Sequence, residues 1–416
     1  MATVQFLPNA NGVGISNSTL LIAGGNIVQQ SVPDLHVRLQ PILDASHTRN
    51  RKTSPPDSMC QRGTRTKVIK GITVWADSEI EADNHVYCLY GTVGSGKSSI
   101  AQAVSGKYHG AGRLLASHYF FRGSGERSTM ARFAVTLASQ MATVIPETVP
   151  FIEAALTSHP GLLKPGTLSL EFQLRNLVFE PFKAVADSSS PLSSPPGKTS
   201  PNPLPFLVVI DGLDECEDKE GMETFIDSML EFFEANPTIP LRFFITTRVE
   251  QHIQDHLEVP EVILDNLDRH ESRHDIEMFV EAEFEREAKR NRVIRAYIAQ
   301  HGNWPTADHR HQLIGHIKGS FIFASTLVKY ILWNKGDGLT PMDRLPLALD
   351  MNPGLDGLYT QTLARVEHLP HFMDVISTIT LTDEPFSISQ LTGVLQIKTF
   401  KVLQVLVDLQ SIIQTF

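Results

Sequence analysis

Tyr87-Cys88-Leu89-Tyr90 runs directly into Gly91-Thr92-Val93-Gly94-Ser95-Gly96-Lys97-Ser98-Ser99. An apolar strand, then G-x-x-x-x-G-K-S, then helical spacing at Ile100, Ala101 and Val104 is the pattern of a phosphate-binding loop. The residue types follow from the chemistry. Glycines bring the backbone close to phosphates and turn N–H groups inward with no Cβ in the way. The helix N-terminus adds partial positive charge, and Lys97 can reach the β- and γ-phosphates. The Ser98 hydroxyl is placed to coordinate magnesium. Gly91 to Ser99 is therefore the expected nucleotide cradle. The competing reading, a glycine-rich turn, leaves the flanking strand and helix unexplained.

Downstream, Phe206-Leu207-Val208-Val209-Ile210 has the uniform apolarity of a strand buried on both faces. It delivers Asp211 to the C-terminal sheet edge, where ligands bind in open α/β sheets. Asp211-Gly212-Leu213-Asp214-Glu215 gathers three carboxylates within five positions. A metal-bound triphosphate needs one carboxylate to hold magnesium and another to orient or deprotonate the attacking water. The assignment is Asp211 for the metal and Glu215 for the water, with Asp214 supporting or substituting. The next strand, Leu241-Arg242-Phe243-Phe244-Ile245, ends in Thr246-Thr247-Arg248. Arg248 is then a candidate to sit near the γ-phosphate; its alternative is a surface arginine after a strand. Arg122, after Tyr119-Phe120-Phe121, is a weaker candidate of the same kind.

The 416 residues suffice for two or three domains. With 36 basic against 46 acidic residues the net charge is −10, which argues against nucleic acid as the main partner. No apolar run reaches the length of a membrane span, and no basic residue precedes Leu20-Leu21-Ile22 to suggest a secretory signal. Cys60, Cys88 and Cys216 are far apart and form no C-x-x-C, so a reduced, cytoplasmic protein without structural zinc is expected. His309, His311 and His316 lack the spacing of three or four that brings helical side chains together, and read as surface histidines.

Composition divides the chain. Residues 1–33 carry no charge and no histidine, which fits a flexible leader or, alternatively, a self-associating β motif. Arg49 to Lys70 carries seven basic residues and reads as a solvated surface, leading into a helix through Val68, Ile69, Ile72 and Trp75. Residues 187–205 hold six prolines and six serines and read as a loop inserted within a domain. Between Tyr87 and Leu264 strands and helices alternate; after Asp268 helices dominate. The expected class is α/β, a P-loop NTPase parallel sheet with helices on both faces. Near the end, Val402, Leu403, Val405, Leu406, Leu409, Ile412 and Ile413 form a broad apolar stripe, expected to be exposed.

Taken in order, these stretches resemble the fungal NACHT-type NTPases of the STAND class and the nephrocystin-3-like N-terminal domain. The landmarks are Cys60-Gln61-Arg62-Gly63-Thr64-Arg65, Ile72 to Trp75, Gly91–Ser98, Leu115 to Arg122, Asp211–Cys216 and Thr246-Thr247-Arg248. Gly212, with acids two and three positions beyond it, is nearer to NACHT than to generic P-loop ATPases. The resemblance implies that Thr64 and Arg65 lie against the adenine and ribose; an ordinary turn at the head of a helix is the other reading. It also implies a helical domain, marked by Gly319-Ser320-Phe321-Ile322-Phe323-Ala324, and then a partial winged-helix domain opening at Asp383-Glu384-Pro385-Phe386-Ser387-Ile388. The implied division is a leader and linker over 1–48, a nucleotide-binding domain over 49–268, a helical domain over 269–368 and the winged-helix part over 369–416. The family's ligand-sensing repeats, and a late histidine of its winged-helix region, have no counterpart in these residues.

The implied function is a signalling switch, active in fungal non-self recognition, that binds ATP or GTP with magnesium and hydrolyses it slowly. Its implied partners are further copies of itself when activated and an effector or sensor protein. ATP against GTP stays open, because the loop reads phosphates and not bases. Two rivals remain: a nucleotide-binding scaffold with negligible turnover, and a small-molecule P-loop kinase, which the long helical second half disfavours.

Overall fold

The structure is a computed structural model describing residues 18–23, 26–31, 34–57, 59–79, 85–188, 204–248, 251–317, 319–332, 338–350, 363, 366–382, 386–407 and 409. Two strands, β1 (Ser18–Ala23) and β2 (Asn26–Ser31), pair antiparallel, with Ser18 opposite Ser31. The main sheet comprises β3 (Val86–Tyr90), β4 (Leu114–Tyr119), β5 (Phe206–Asp211), β6 (Leu241–Thr247) and β7 (Val262–Asn266). All its pairings are parallel, in the order β4-β5-β6-β3-β7. The helices around it are α1 (Leu35–Leu39), α2 (Thr66–Asp77), α3 (Lys97–Gly110), α4 (Phe133–Val144), α5 (Val149–Ser158), α6 (Leu170–Leu174), α7 (Glu180–Ala186), α8 (Lys219–Ala235) and α9 (Gln251–Leu257).

The period-two alternation of a strand explains how one sheet supports two cores. Val208 and Ile210 of β5, with Phe243 and Ile245 of β6, pack into one core with α4 and α8. Leu207, Val209 and Phe244 point the other way, onto α2 and α3. The α4 helix stops at Val144, just before Pro146. Because β6 lies between β3 and β5, and Ile210 and Tyr90 pair with Ile245 and Thr247 of β6, the three strand ends stand side by side. The phosphate loop, Asp211 and Thr246 thus meet at one sheet edge.

Two sequence expectations are corrected in this half. Residues 34–48 are not a loose linker: Leu35, Leu39 and Ala45 are buried, and the Ile42 N–H donates to Thr136 Oγ1 at 3.0 Å. The basic run from Arg49 is not wholly solvated either, since Arg49 and Arg65 are 6% and 4% exposed. Carbonyls replace water around Arg49. Its guanidinium donates to Ser46 O at 3.2 Å, Ser54 O at 3.2 Å and Pro56 O at 3.0 Å, and lies 3.9 Å from the Tyr119 ring centroid. The inserted Pro/Ser loop falls almost wholly outside the described residues.

The second half is helical. The helices α10 (Arg273–Arg290), α11 (Arg292–His301), α12 (Ala307–Ile317), α13 (Phe321–Leu332) and α14 (Pro341–Asp350) share a core that includes Ile276, Val280, Leu313, Leu327 and Leu345. A smaller cluster follows from α15 (Phe372–Leu381), α16 (Ile388–Leu395) and α17 (Thr399–Val407). Ser387 opens α16 with a capping box to Gln390. Here the exposed-stripe expectation is overturned: Val402, Val405, Leu406 and Leu409 are buried against Val375 and Leu391, and of the described members Leu403 alone is exposed, at 38%. The stripe is the inner face of a small core. Ile412 and Ile413 lie outside the described residues.

Candidate functional site

The loop between β3 and α3 wraps the Lys97 side chain, whose Nζ donates to Gly91 O at 2.7 Å and Thr92 O at 2.9 Å. Burial lowers the Lys97 pKa, and the negative charges of Asp214 and Asp211 work against that shift. At Gly94 glycine is required twice over. Its φ is +77°, and a Cβ there would lie 2.2 Å from Ile322 Cγ2 of α13. Ile322 N also donates to Gly94 O at 3.3 Å. Arg65, at the head of α2, donates from Nη2 to Ser95 O at 2.7 Å, and its guanidinium stacks 4.7 Å from the Phe321 centroid. Its Nε and Nη1 are buried without partners.

Asp211 is fully buried. Its Oδ1 accepts from Thr246 Oγ1 at 2.6 Å, and the same Thr246 oxygen accepts from Gly212 N at 3.1 Å. Burial raises the Asp211 pKa, opposed by the Thr246 hydrogen bond and by the nearby Ser98 hydroxyl. Its Oδ2 is buried without a partner. An orphaned carboxylate oxygen beside a serine hydroxyl at the loop's end is the pairing that magnesium on a nucleotide uses, with phosphates and water completing the shell. The residues present fit that ion. Among the described residues no three His, Cys, Asp or Glu side chains gather into a metal-holding group of their own.

The remaining acids are tied together by Arg248. Its backbone N–H donates to Asp214 Oδ1 at 2.9 Å, its Nε lies 2.9 Å from Asp214 Oδ2, and its Nη2 reaches Glu215 Oε1 at 3.4 Å. From the other side, Arg122 donates its backbone N–H to Glu215 Oε2 at 3.3 Å and a guanidinium N–H to Asp214 O at 3.0 Å. Burial, then the charges of Asp214 and Asp211, push the Glu215 carboxyl up to about 7. A carboxylate poised there can take a proton from water at neutral pH.

A cavity of about 410 Å³ joins these groups, a volume suited to a nucleotide-sized ligand. Gly94, Gly96, Lys97, Ser98 and Ser99 line it, together with Asp214, Glu215 and Arg248. Thr64 and Arg65 line it too, with Phe279 and Phe321 from the helical half. Asp211 and Arg122, both selected from sequence, do not line this cavity but bond to residues that do, Thr246 and Glu215. Four contributors went unassigned from sequence. Thr246, which fixes Asp211, was visible in the T-T-R stretch; Phe321 and Ile322 were seen as landmarks without a place at the site. Asp268, whose carboxylate holds Thr92, carries no local signal. His309, His311 and His316 lie away from this cavity on α12.

A parallel sheet with a lysine-bearing glycine loop at one strand end and a buried aspartate two strands away decides the class. The fold is that of a P-loop NTPase. The family described as Nephrocystin 3, N-terminal, matches residues 63–248, from the turn before α2 through Arg248. No curated protein matches the chain in sequence. Among solved structures it is similar to the Walker-type ATPase of Pyrococcus abyssi, at 15% identity and TM-score 0.42, over 86% of this chain and 92% of that one. It is also similar to Drosophila ORC bound to DNA, at 11% identity and TM-score 0.38, over 85% and 86%. AMPPCP-bound DnaA from Aquifex aeolicus matches at 11% identity and TM-score 0.30, over 86% and 99%. These are likenesses of general arrangement and assign no ligand or partner here. Among the described residues no helix is long and apolar enough to cross a membrane.

Proposed function

We propose that this P-loop NTPase is a nucleotide-dependent signalling switch of the NACHT type, binding ATP or GTP with magnesium and hydrolysing it slowly to control self-association. The observation that carries this reading is the contact between the phosphate loop and the helical half. Ile322 bonds the Gly94 carbonyl and fills the space a side chain at Gly94 would need. A ligand that moves the loop must therefore move α13, or be resisted by it, and a ligand shifts such an equilibrium only through its differential affinity.

In this reading Lys97 and the loop N–H groups bind the β- and γ-phosphates. Ser98 and Asp211 hold magnesium, which supplies charge neutralisation on those phosphates. Glu215 accepts the proton of the attacking water, with Asp214 holding Arg248 beside the γ-phosphate position. Thr64 and Arg65 serve the base and ribose. The scaffold reading is favoured by one observation, the engagement of Glu215 by Arg248, which must loosen for Glu215 to act.

The deciding experiment is calorimetry with ATP, GTP and their diphosphates, with and without magnesium, followed by single-turnover hydrolysis. Magnesium-dependent binding with slow turnover supports the switch. Binding without measurable turnover favours the scaffold, and no binding at millimolar nucleotide ends both readings.

A further inference from the structure

The turn that joins β7 to α10, residues 267–272, is the covalent connection between the sheet and the helical half. Asp265, at the end of β7, is fixed by Tyr87 OH at 2.5 Å and by His270 Nε2 at 2.7 Å. Asn266 accepts from the Asp268 N–H at 2.9 Å, closing the turn. The Asp268 carboxylate then reaches back to the phosphate loop. Its Oδ2 accepts from Thr92 N at 2.9 Å and its Oδ1 from Thr92 Oγ1 at 2.9 Å. The loop is packed against this turn, since a Cβ on Gly91 would lie 3.3 Å from both Asp268 Oδ1 and Leu267 Cβ. Thr92, held this way, offers its own carbonyl to Lys97 Nζ. Farther along, Ser272 Oγ donates to Gly319 O at 3.0 Å, just before the α13 turn that touches Gly94.

We propose that Asp268 is a positioning residue that sets the phosphate loop, and through Thr92 the Lys97 ammonium, according to the position of the junction between the two halves. The inference rests on the switch reading and deepens it by naming where the coupling passes. A movement of α10 relative to the sheet displaces the 267–272 turn. That displaces the carboxylate holding Thr92, and so one of the two carbonyls that orient Lys97. The connection runs in both directions, because coupling between a ligand and a conformational change is reciprocal.

Geometry and charge make opposite demands at this position, and that allows a test. The Asp268 negative charge is felt at Lys97 and Arg65 and opposes an anionic ligand. Asparagine removes the charge yet can keep both bonds: its oxygen accepts from the Thr92 N–H, while its amide donates to a Thr92 hydroxyl that has turned to accept. Alanine removes charge and bonds together. The variants Asp268→Asn and Asp268→Ala, in the full chain, are titrated with magnesium-ATP and magnesium-GTP, and melted without nucleotide. For whichever nucleotide the wild type binds, Asp268→Asn should bind as tightly as wild type or more tightly. Asp268→Ala should bind about three- to tenfold more weakly, the cost of losing directional bonds to an exposed loop. Without nucleotide Asp268→Ala should melt no more than about 2–4 °C below Asp268→Asn, the size expected for the lost bonds alone. Equal or tighter binding by Asp268→Ala than by Asp268→Asn would show that Asp268 acts through charge alone and overturns the proposal. So would equal weakening of both, or a ligand-free melting temperature for Asp268→Ala well below that of Asp268→Asn, which marks a merely structural residue. A wild-type chain that binds neither nucleotide removes the switch reading itself, an outcome distinct from these three.

Discussion

In the sheet-bearing half, Arg49, Arg113, Arg127 and Arg242 are buried and answered by fixed acceptors; in the α15–α17 cluster every buried side chain among the described residues is apolar. Arg113, for example, donates to Pro205 O, Ala76 O and Asp77, bridging the start of β5 to the end of α2. The α15–α17 cluster instead leaves Met373, Leu381, Val394 and Phe400 largely exposed. Directional bonds to buried guanidinium groups specify where a segment sits, whereas a small apolar cluster specifies little beyond proximity. The difference implies that function in the first half depends on individual polar atoms. Changes in the α15–α17 cluster should act through stability and leave nucleotide affinity alone.

The largest effect expected on the polar side is at Glu215. Glu215→Gln should retain triphosphate affinity within a few-fold while hydrolysis falls by about 10²–10⁴, the usual contribution of a general base. Single-turnover assays beside a bound-nucleotide measurement check this. Normal hydrolysis by Glu215→Gln with loss in Asp214→Asn would move the role to Asp214 and leave the comparison standing.

Next in size is binding itself. Lys97→Ala should weaken ATP or GTP by about 100-fold, because the ammonium contacts phosphate in ground and transition states alike. Val405→Ala, in the small C-terminal core, should lower the stability of that cluster by about 1–3 kcal/mol with nucleotide affinity unchanged. Denaturant melts and calorimetry on the same samples separate the two. A Val405→Ala chain that loses nucleotide as strongly as Lys97→Ala would dissolve the distinction between the two regions.

How well each half could be read from sequence follows the same line. The loop at Gly91–Ser99 and the acids at Asp211–Glu215 are legible because phosphate and metal chemistry demand particular residue types at fixed spacing along one strand–turn unit. The β5 run of apolar residues is legible because both its faces are buried. Arg49 was misread as solvated because a buried arginine differs from an exposed one only in what surrounds it, here the carbonyls of Ser46, Ser54 and Pro56. Asp268 was invisible because its partner Thr92 is 176 positions away. The apolar stripe through Val402 and Leu409 was correctly located but assigned to the wrong side, since periodicity finds a face and not what covers it.

The smallest predicted effect is a pH dependence, and its sign is opposite for rate and for stability. Burial and the neighbouring acids raise the Glu215 pKa from 4.5 to about 7, so between those values the folded chain holds a proton there that the unfolded chain has released. Stability contributed by this group is fully present below about pH 4.5, falls as pH rises toward 7, and is level above it. Glu215→Gln lacks that slope. Its melting temperature minus that of wild type should therefore increase across the window, by on the order of 2–4 °C, and then hold constant. Hydrolysis requires the ionised form, so the wild-type rate should climb over the same range and flatten above about 7. A bound triphosphate adds negative charge nearby and should carry the kinetic midpoint above the one seen by melting without nucleotide. If the difference in melting temperature is flat with pH while the rate still rises through 7, the titrating base is a group other than Glu215.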